Sequence, residues 1–294
     1  MTRVLITGAT GQVGRALVQL APQGMGLLVP SRKECDLANP EQVRSYVEKK
    51  KPAAIIHAGA YTAVDKAESE PALAYAVNAA STAALAGYAG KAGIPLLYVS
   101  TDYVFPGAIL GVGQKPYRED APVAPLSVYG RTKLAGELAV QSLAPQSTIL
   151  RTSWVFSEHG TNFVKRMLEL GTTRRALSIV NDQHGAPTPA NAIAGALWEL
   201  MTRHLQNPAT PLPRLLHFSG QPATTWYDFA REIFRIAGGL SYTAPTLTAI
   251  PTTSYPTPAQ RPLWSVLDCH EIARLGIPQP DWRKAATDAI AKVL

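Results

Sequence analysis

Cysteine is nearly absent from this 294-residue chain: Cys35 and Cys269 are the two it has. They are too few for a disulfide framework, and they lack the close spacing of a zinc or redox pair, so a reducing compartment is expected and no metal ligand set is. Long apolar runs are missing too. No stretch approaches the ~20 residues of a membrane span, and the N-terminus enters a strand-like segment at once without a signal-peptide layout. The expected location is therefore cytoplasmic, with no membrane partner. Charged residues make up 17% of the chain, and although the net charge is +7, the longest basic run is Lys49-Lys50-Lys51. Without a basic tail or patch, the excess suits small anionic ligands and not nucleic acid.

What the chain does have is ordinary globular composition, 46% hydrophobic, and an alternation of short apolar runs with amphipathic stretches. Arg3–Thr7, Leu27–Val29, Ala53–His57, Pro95–Ser100 and Thr148–Phe156 read as strands. Between them Gln12–Leu20, Gln42–Lys50, Glu70–Ala92 and Val128–Leu143 read as helices. Asn39-Pro40-Glu41 supplies a cap, a first-turn proline and an acid ahead of the second helix. Such alternation implies right-handed crossovers and an α/β fold, a Rossmann-type doubly wound parallel sheet. Beyond 156 the spacing loosens into helices at Asn162–Leu170, Asn191–Gln206 and Thr225–Ala237 with Pro-rich connections, densest over Pro245–Pro262. The expected division is a dinucleotide-binding domain over 1–156, with some later segments returning to it, and a smaller substrate-binding lobe over 157–294.

Gly8, Gly11 and Gly14 lie between the first strand and first helix, where the backbone must turn tightly and approach a pyrophosphate at the positive end of the helix. A plain glycine-rich turn would show the same residues, but the strand before it and the helix after it favour a dinucleotide site. After the second strand, where an acid often holds the adenosine ribose, stands Pro30-Ser31-Arg32-Lys33. Arg32 and Lys33 would suit a 2′-phosphate, which leans toward NADPH and leaves NADH open, while unliganded surface basic residues would look the same. Asp36-Leu37 is a candidate for the adenine edge.

Tyr129 and Lys133 stand at i and i+4 on one helical face, so the ammonium is expected to lower the phenol pKa and let it pass a proton at neutral pH. Ser100-Thr101 ends the fourth strand, where α/β sheets place ligands. With Ala60-Tyr61-Thr62, Ser100–Phe105, Arg151–Val155, Asn181–Thr188 and Tyr255–Pro258, these motifs make the chain resemble the extended short-chain dehydrogenase/reductase family over nearly its whole length, and within it the reductases of nucleotide-linked 4-keto sugars. The resemblance implies cofactor contacts from Gly11, Gln12, Val13, Asp36, Leu37, Ala60, Tyr61 and Thr62. It implies a catalytic triad of Thr101, Tyr129 and Lys133, and substrate contacts from Thr101, Asp102 and Trp154. The implied reaction is hydride transfer to the C4 carbonyl of dTDP-4-dehydro-β-L-rhamnose, a dTDP-linked 4-keto-6-deoxy sugar. Another nucleotide-sugar reductase or epimerase stays open, as does a non-catalytic NADP-binding regulatory subunit like that of methionine adenosyltransferase.

Departures from the family pattern narrow this further. Related dehydratases carry Glu after Thr-Asp; here Tyr103 follows Asp102, which favours simple reduction. Some relatives are described as dimers bridged by Mg²⁺ through carboxylates, one of which would fall at Asn191; the amide there and the acid-poor end Ala289–Leu294 argue against a metal and leave a homodimer open. Arg261 is placed near the substrate, and Trp264 stands where the family has a small polar residue, so it either reshapes the pocket or covers the lobe. Trp154 could equally be core and Asp102 a turn residue. His57 and His184 read as structural or as supports behind the matched motifs, and Asp65 and Glu68 as helix caps.

Overall fold

The computed structural model describes residues 2–108 and 113–294. Five strands, β1 (Arg3–Thr7), β2 (Gly26–Leu28), β3 (Ala54–His57), β4 (Leu96–Thr101) and β5 (Thr148–Thr152), join the edge strand Leu215–His217 in one sheet. Its order is β2-β1-β3-β4-β5 and then the edge strand, with every pairing parallel. The strands are short apolar runs because both faces are covered: Val4, Leu5, Ile6, Ile55 and Ile56 are fully buried. The order reverses between β1 and β3, opening a crevice at their carboxyl ends.

On one face, helix α1 (Gln12–Gln19) and helix Ala190–Gln206 share a core of Val4, Ile6, Leu17, Ile193 and Leu197, and the Trp198 indole donates to Leu17 O at 2.8 Å. On the other, α2 (Pro40–Lys50), Ser81–Ala92 and Val128–Leu143 cover Leu5, Ile55, Leu96 and Ile149. A separate core of Phe156, Val164, Phe229, Ile233, Trp282 and Ile290 holds the C-terminal helices together. Thus a helix and a strand from beyond 156 pack with the sheet. No helix among the described residues is long and apolar enough to cross a membrane.

Three expectations need revision. Asn39 caps α2 through the Gln42 N–H as expected, but the helix starts at Pro40. The Glu70–Ala92 run is Pro71–Tyr75, a π-helical turn over Ala76–Ala80, and Ser81–Ala92. The run Thr148–Phe156 breaks at Trp154, whose φ of 43° leaves extended geometry, and resumes as Val155–Phe156. In the Pro-rich stretch, Thr246–Ile250 forms a strand between Pro245 and Pro251, paired in parallel with Ala176–Val180.

Helix Val128–Leu143 approaches its neighbours closely at Gly136, where an added Cβ would collide with Asn78 O and Tyr98 Oη. Gly136→Ala therefore overpacks a buried contact and is expected to cost about 1–3 kcal/mol, read as a lower urea midpoint at unchanged slope.

Candidate active site

The turn after β1 is built for close approach. Gly8 has φ +72°, and side chains at Gly8 or Gly14 would strike Gly59 and Gly8 backbone respectively. Gly11 caps α1 without a side-chain acceptor, so the first N–H groups of the helix carry no side-chain partner and the site suits a pyrophosphate. The Val13 side chain turns into the core. Gln12 ties the turn to later chain: its amide donates to Val155 O and accepts from Ser157 and Asn162. Its backbone, and not its side chain, is left to face a cofactor. The loop after β3 carries Ala60, Tyr61 and Thr62 beside Gly59, which meets the glycine turn.

A cleft of about 490 Å³ runs from Ala9 and Thr10 to Val29, Pro30 and Ser31 at the end of β2, the place for an adenosine moiety. Glu34 also lines it, and its carboxylate accepts from the Ser31 N–H (2.9 Å) and hydroxyl (2.8 Å). Sequence position alone suggested that the loop lacks an acid; the turn brings Glu34 back to supply one. Arg32 is 82% exposed and pairs with Asp36 at 3.4 Å. Asp36 also closes a local turn on the Ala38 N–H, and Leu37 O accepts from Ser81.

Thr101, Asp102, Tyr129 and Lys133 come together at the carboxyl end of β4. The Thr101 hydroxyl donates to Asp102 Oδ1 at 3.1 Å and accepts from the Tyr103 N–H. Burial pushes the Tyr129 phenol up to about 12; the Thr101 hydroxyl pulls it down and Asp102 pushes it further up. Burial draws the Lys133 ammonium down to about 7, against the pull of Glu137. The expected lowering of the phenol by Lys133 is not what the geometry provides. Nζ turns to the sheet, donating to Val99 O at 2.7 Å and lying 4.1 Å from the Tyr98 ring centroid.

Around this group, Asp102 is 1% exposed, its Oδ2 has no hydrogen-bond partner, and burial raises it to about 7 against bonds from Ser265 and Thr101. Tyr103 packs edge-on to Tyr129 at 5.7 Å. Trp154 stacks on Trp226 at 3.5 Å, nearly parallel, and against Gly185. Arg261 is not free to range over the site: it forms a bidentate pair with Asp65 (2.7 and 2.9 Å) and donates to Thr257. Trp264 tilts against His184 at 5.5 Å, with its indole nitrogen buried and unpartnered.

A glycine cradle thus stands at one strand end and a Thr-Tyr-Lys group at another. A family model described as the RmlD substrate binding domain matches residues 1–294. A dTDP-4-dehydrorhamnose reductase of Sinorhizobium fredii is 42% identical over 284 residues, covering 96% of this chain and 95% of that protein. The chain belongs to the dTDP-4-dehydrorhamnose reductase family. Among solved members, that of Clostridium acetobutylicum superposes with a TM-score of 0.87 at 35% identity over 99% of both chains. The Bacillus anthracis reductase, solved in complex with NADP, gives 0.88 at 33% identity over the full length of both.

Several residues of this family member were not singled out from sequence. Asn78, in the π-helical turn, binds both the N–H and C=O of Tyr61 and donates to Thr132 on the tyrosine helix. Its signal was slight, one amide inside an Ala-rich run. Asp65 and Glu68 were expected to cap locally; Asp65 instead holds Arg261, and Glu68 accepts from the Val128 N–H at 2.7 Å, capping the tyrosine helix from 60 residues away. His57 is structural, as expected. Thr82 gives its own proton to Asn78 O, so it accepts from His57 Nε2, and Nδ1 accepts from Thr7 at 2.6 Å. Among the described residues no cluster of three His, Cys, Asp or Glu is arranged to hold a metal.

Asp102 carries a pH signature. Its folded value of about 7 exceeds the ordinary carboxylate value near 4, so the folded state holds the extra proton and stability falls as pH rises through that window. Asp102→Asn is expected to match the wild type near pH 4 and to exceed it by about 4 kcal/mol at pH 8, measured by urea unfolding at both values.

Proposed function

We propose that this family member reduces the C4 carbonyl of dTDP-4-dehydro-β-L-rhamnose to give dTDP-L-rhamnose, using NADPH or NADH. The observation that carries the reading is the grouping of Thr101, Tyr129 and Lys133 at the carboxyl end of β4, with Thr101 and Lys133 buried, in the same sheet whose first strand ends in the glycine cradle that fits a dinucleotide. A bound dihydronicotinamide supplies the hydride. As charge develops on the carbonyl oxygen, Tyr129, fully protonated at neutral pH, gives it a proton, and the Thr101 hydroxyl hydrogen-bonds the same oxygen. Lys133 serves the nicotinamide ribose, while Asp102 and Trp154 serve the sugar. Tyr103 places an un-ionised phenol where a dehydratase would need a carboxylate, and burial pushes that phenol up further still. No proton beside the carbonyl is taken there, and the product is the alcohol. Arg261 acts by clasping the 257–261 segment to Asp65. Residues 157–294, apart from the helix and edge strand that join the sheet, form the substrate lobe.

The test is to mix the protein with NADPH and enzymatically generated dTDP-4-keto-6-deoxy sugar, with and without the epimerising enzyme that supplies the L-sugar, and to follow nicotinamide absorbance. Oxidation confined to the epimerised sugar is expected; none with either sugar removes the reading. Tyr129→Phe should retain cofactor binding by fluorescence titration and lose about 10²–10⁴-fold in kcat. Glu34→Gln frees Ser31 for an anion, so the ratio of kcat/KM for NADPH over NADH should rise, by about tenfold if the charge acts directly on the 2′ position.

A further inference from the structure

The tyrosine helix carries Tyr129, Lys133 and Glu137 in a single i, i+4, i+8 row, and the third member of that row has no part in the mechanism above. Glu137 is 1% exposed. Its carboxylate accepts from the Ser100 hydroxyl at 2.5 Å and, in a bidentate pair, from Arg151 Nε (2.9 Å) and Nη2 (2.7 Å). Ser100 and Arg151 are register partners on β4 and β5, so one carboxylate spans two strands. Arg151 is itself buried, 5.1 Å above the Phe105 ring, and its Nη1 meets His217 Nε2 at 3.4 Å. His217 Nδ1 faces Tyr117 O, an acceptor, so Nδ1 carries the proton and Nε2 receives the arginine's. Burial holds His217 down to about 3, which keeps it neutral.

Lys133, 2% exposed, has no carboxylate within ion-pair distance among the described residues. It faces the Tyr98 ring and Val99 O from β4, and lies within electrostatic reach of His57 from β3 and of Glu137 on its own helix. Of these, His57 is neutral, held down to about 3 by burial and by Lys133 itself. The carboxylate whose field reaches the ammonium is that of Glu137.

We propose that Glu137, clamped by Arg151 and Ser100 one turn along the same helix face, is a positioning residue that keeps the buried Lys133 charged. A clamp that only tied helix to sheet would be replaceable by apolar residues at little cost; one that acts through Lys133 would not be. The proposal rests on the catalytic reading of Lys133, and its test separates the two. In the cofactor-free protein with ¹³C-labelled lysine, the Cε resonance of Lys133, assigned by its loss in Lys133→Arg, is followed against pH. Glu137→Gln leaves Arg151 unpaired, so the deciding variant is Glu137→Gln/Arg151→Met, which removes both charges.

In that double variant the Lys133 titration is expected to move down by about one pH unit, and the alkaline limb of kcat/KM with it. Glu137→Asp should return part of the shift. A folded double variant, judged by circular dichroism and urea midpoint, that titrates like the wild type overturns the proposal. If neither sugar is turned over by the wild type, the functional reading fails and the Lys133 titration still decides the role of Glu137.

Discussion

The tyrosine helix must bury polar and charged side chains against the centre of a sheet, and much of the surrounding architecture answers that constraint. Burying an ammonium, a carboxylate and a hydroxyl on one helical face is costly unless each finds a partner. The partners come from far along the chain: Val99 O for Lys133, Ser100 and Arg151 for Glu137, Asn78 for Thr132, and Glu68 for the helix terminus itself. Asn78 is the hub. It can hold Tyr61 and Thr132 together because the π-helical turn Ala76–Ala80 displaces the helix locally, a distortion that recurs at functional positions. The same amide thereby links the loop after β3, expected to meet the cofactor, to the helix that carries Tyr129, the proposed proton donor.

A second set of contacts joins the sheet to the rest. Gln12 stands within the glycine turn and bonds Val155, Ser157 and Asn162, so the cofactor cradle and the segment after β5 are one hydrogen-bonded unit. The Asp65–Arg261 pair does the same between the β3 loop and the late Pro-rich stretch. Asp102 bears the opposite kind of burden: a buried carboxyl group with one oxygen unpartnered, close to the Tyr129 phenol, is held at a cost to stability.

Legibility varied with the range of the interaction. Elements set by local pattern were read closely: Arg3–Thr7 and Val128–Leu143 match residue for residue, and the Asn39 cap is where its side chain predicted. The break at Trp154 was not legible: a positive φ at a tryptophan has no local signal, and its ring stacks on Trp226, 72 positions on. Nor was the Thr246–Ile250 strand, which owes its existence to Ala176–Val180 and sits between prolines that read as loop. Glu34 was overlooked at the second strand because the acid arrives by a turn and not at the expected offset.

By itself the sequence determined the parallel α/β architecture, the glycine turn between the first strand and first helix, and the placing of Tyr129 and Lys133 on one helical face, since apolar periodicity, glycine spacing and an i, i+4 pair are all local in the chain. Only the tertiary structure decided which charges those groups feel. Lys133 faces β4 and the row ending in Glu137, Arg261 answers Asp65, and Asp102 is sealed from water. The reason is physical: protonation depends on desolvation and on charges a few ångströms away, and those neighbours are assembled from strands and helices distant in sequence.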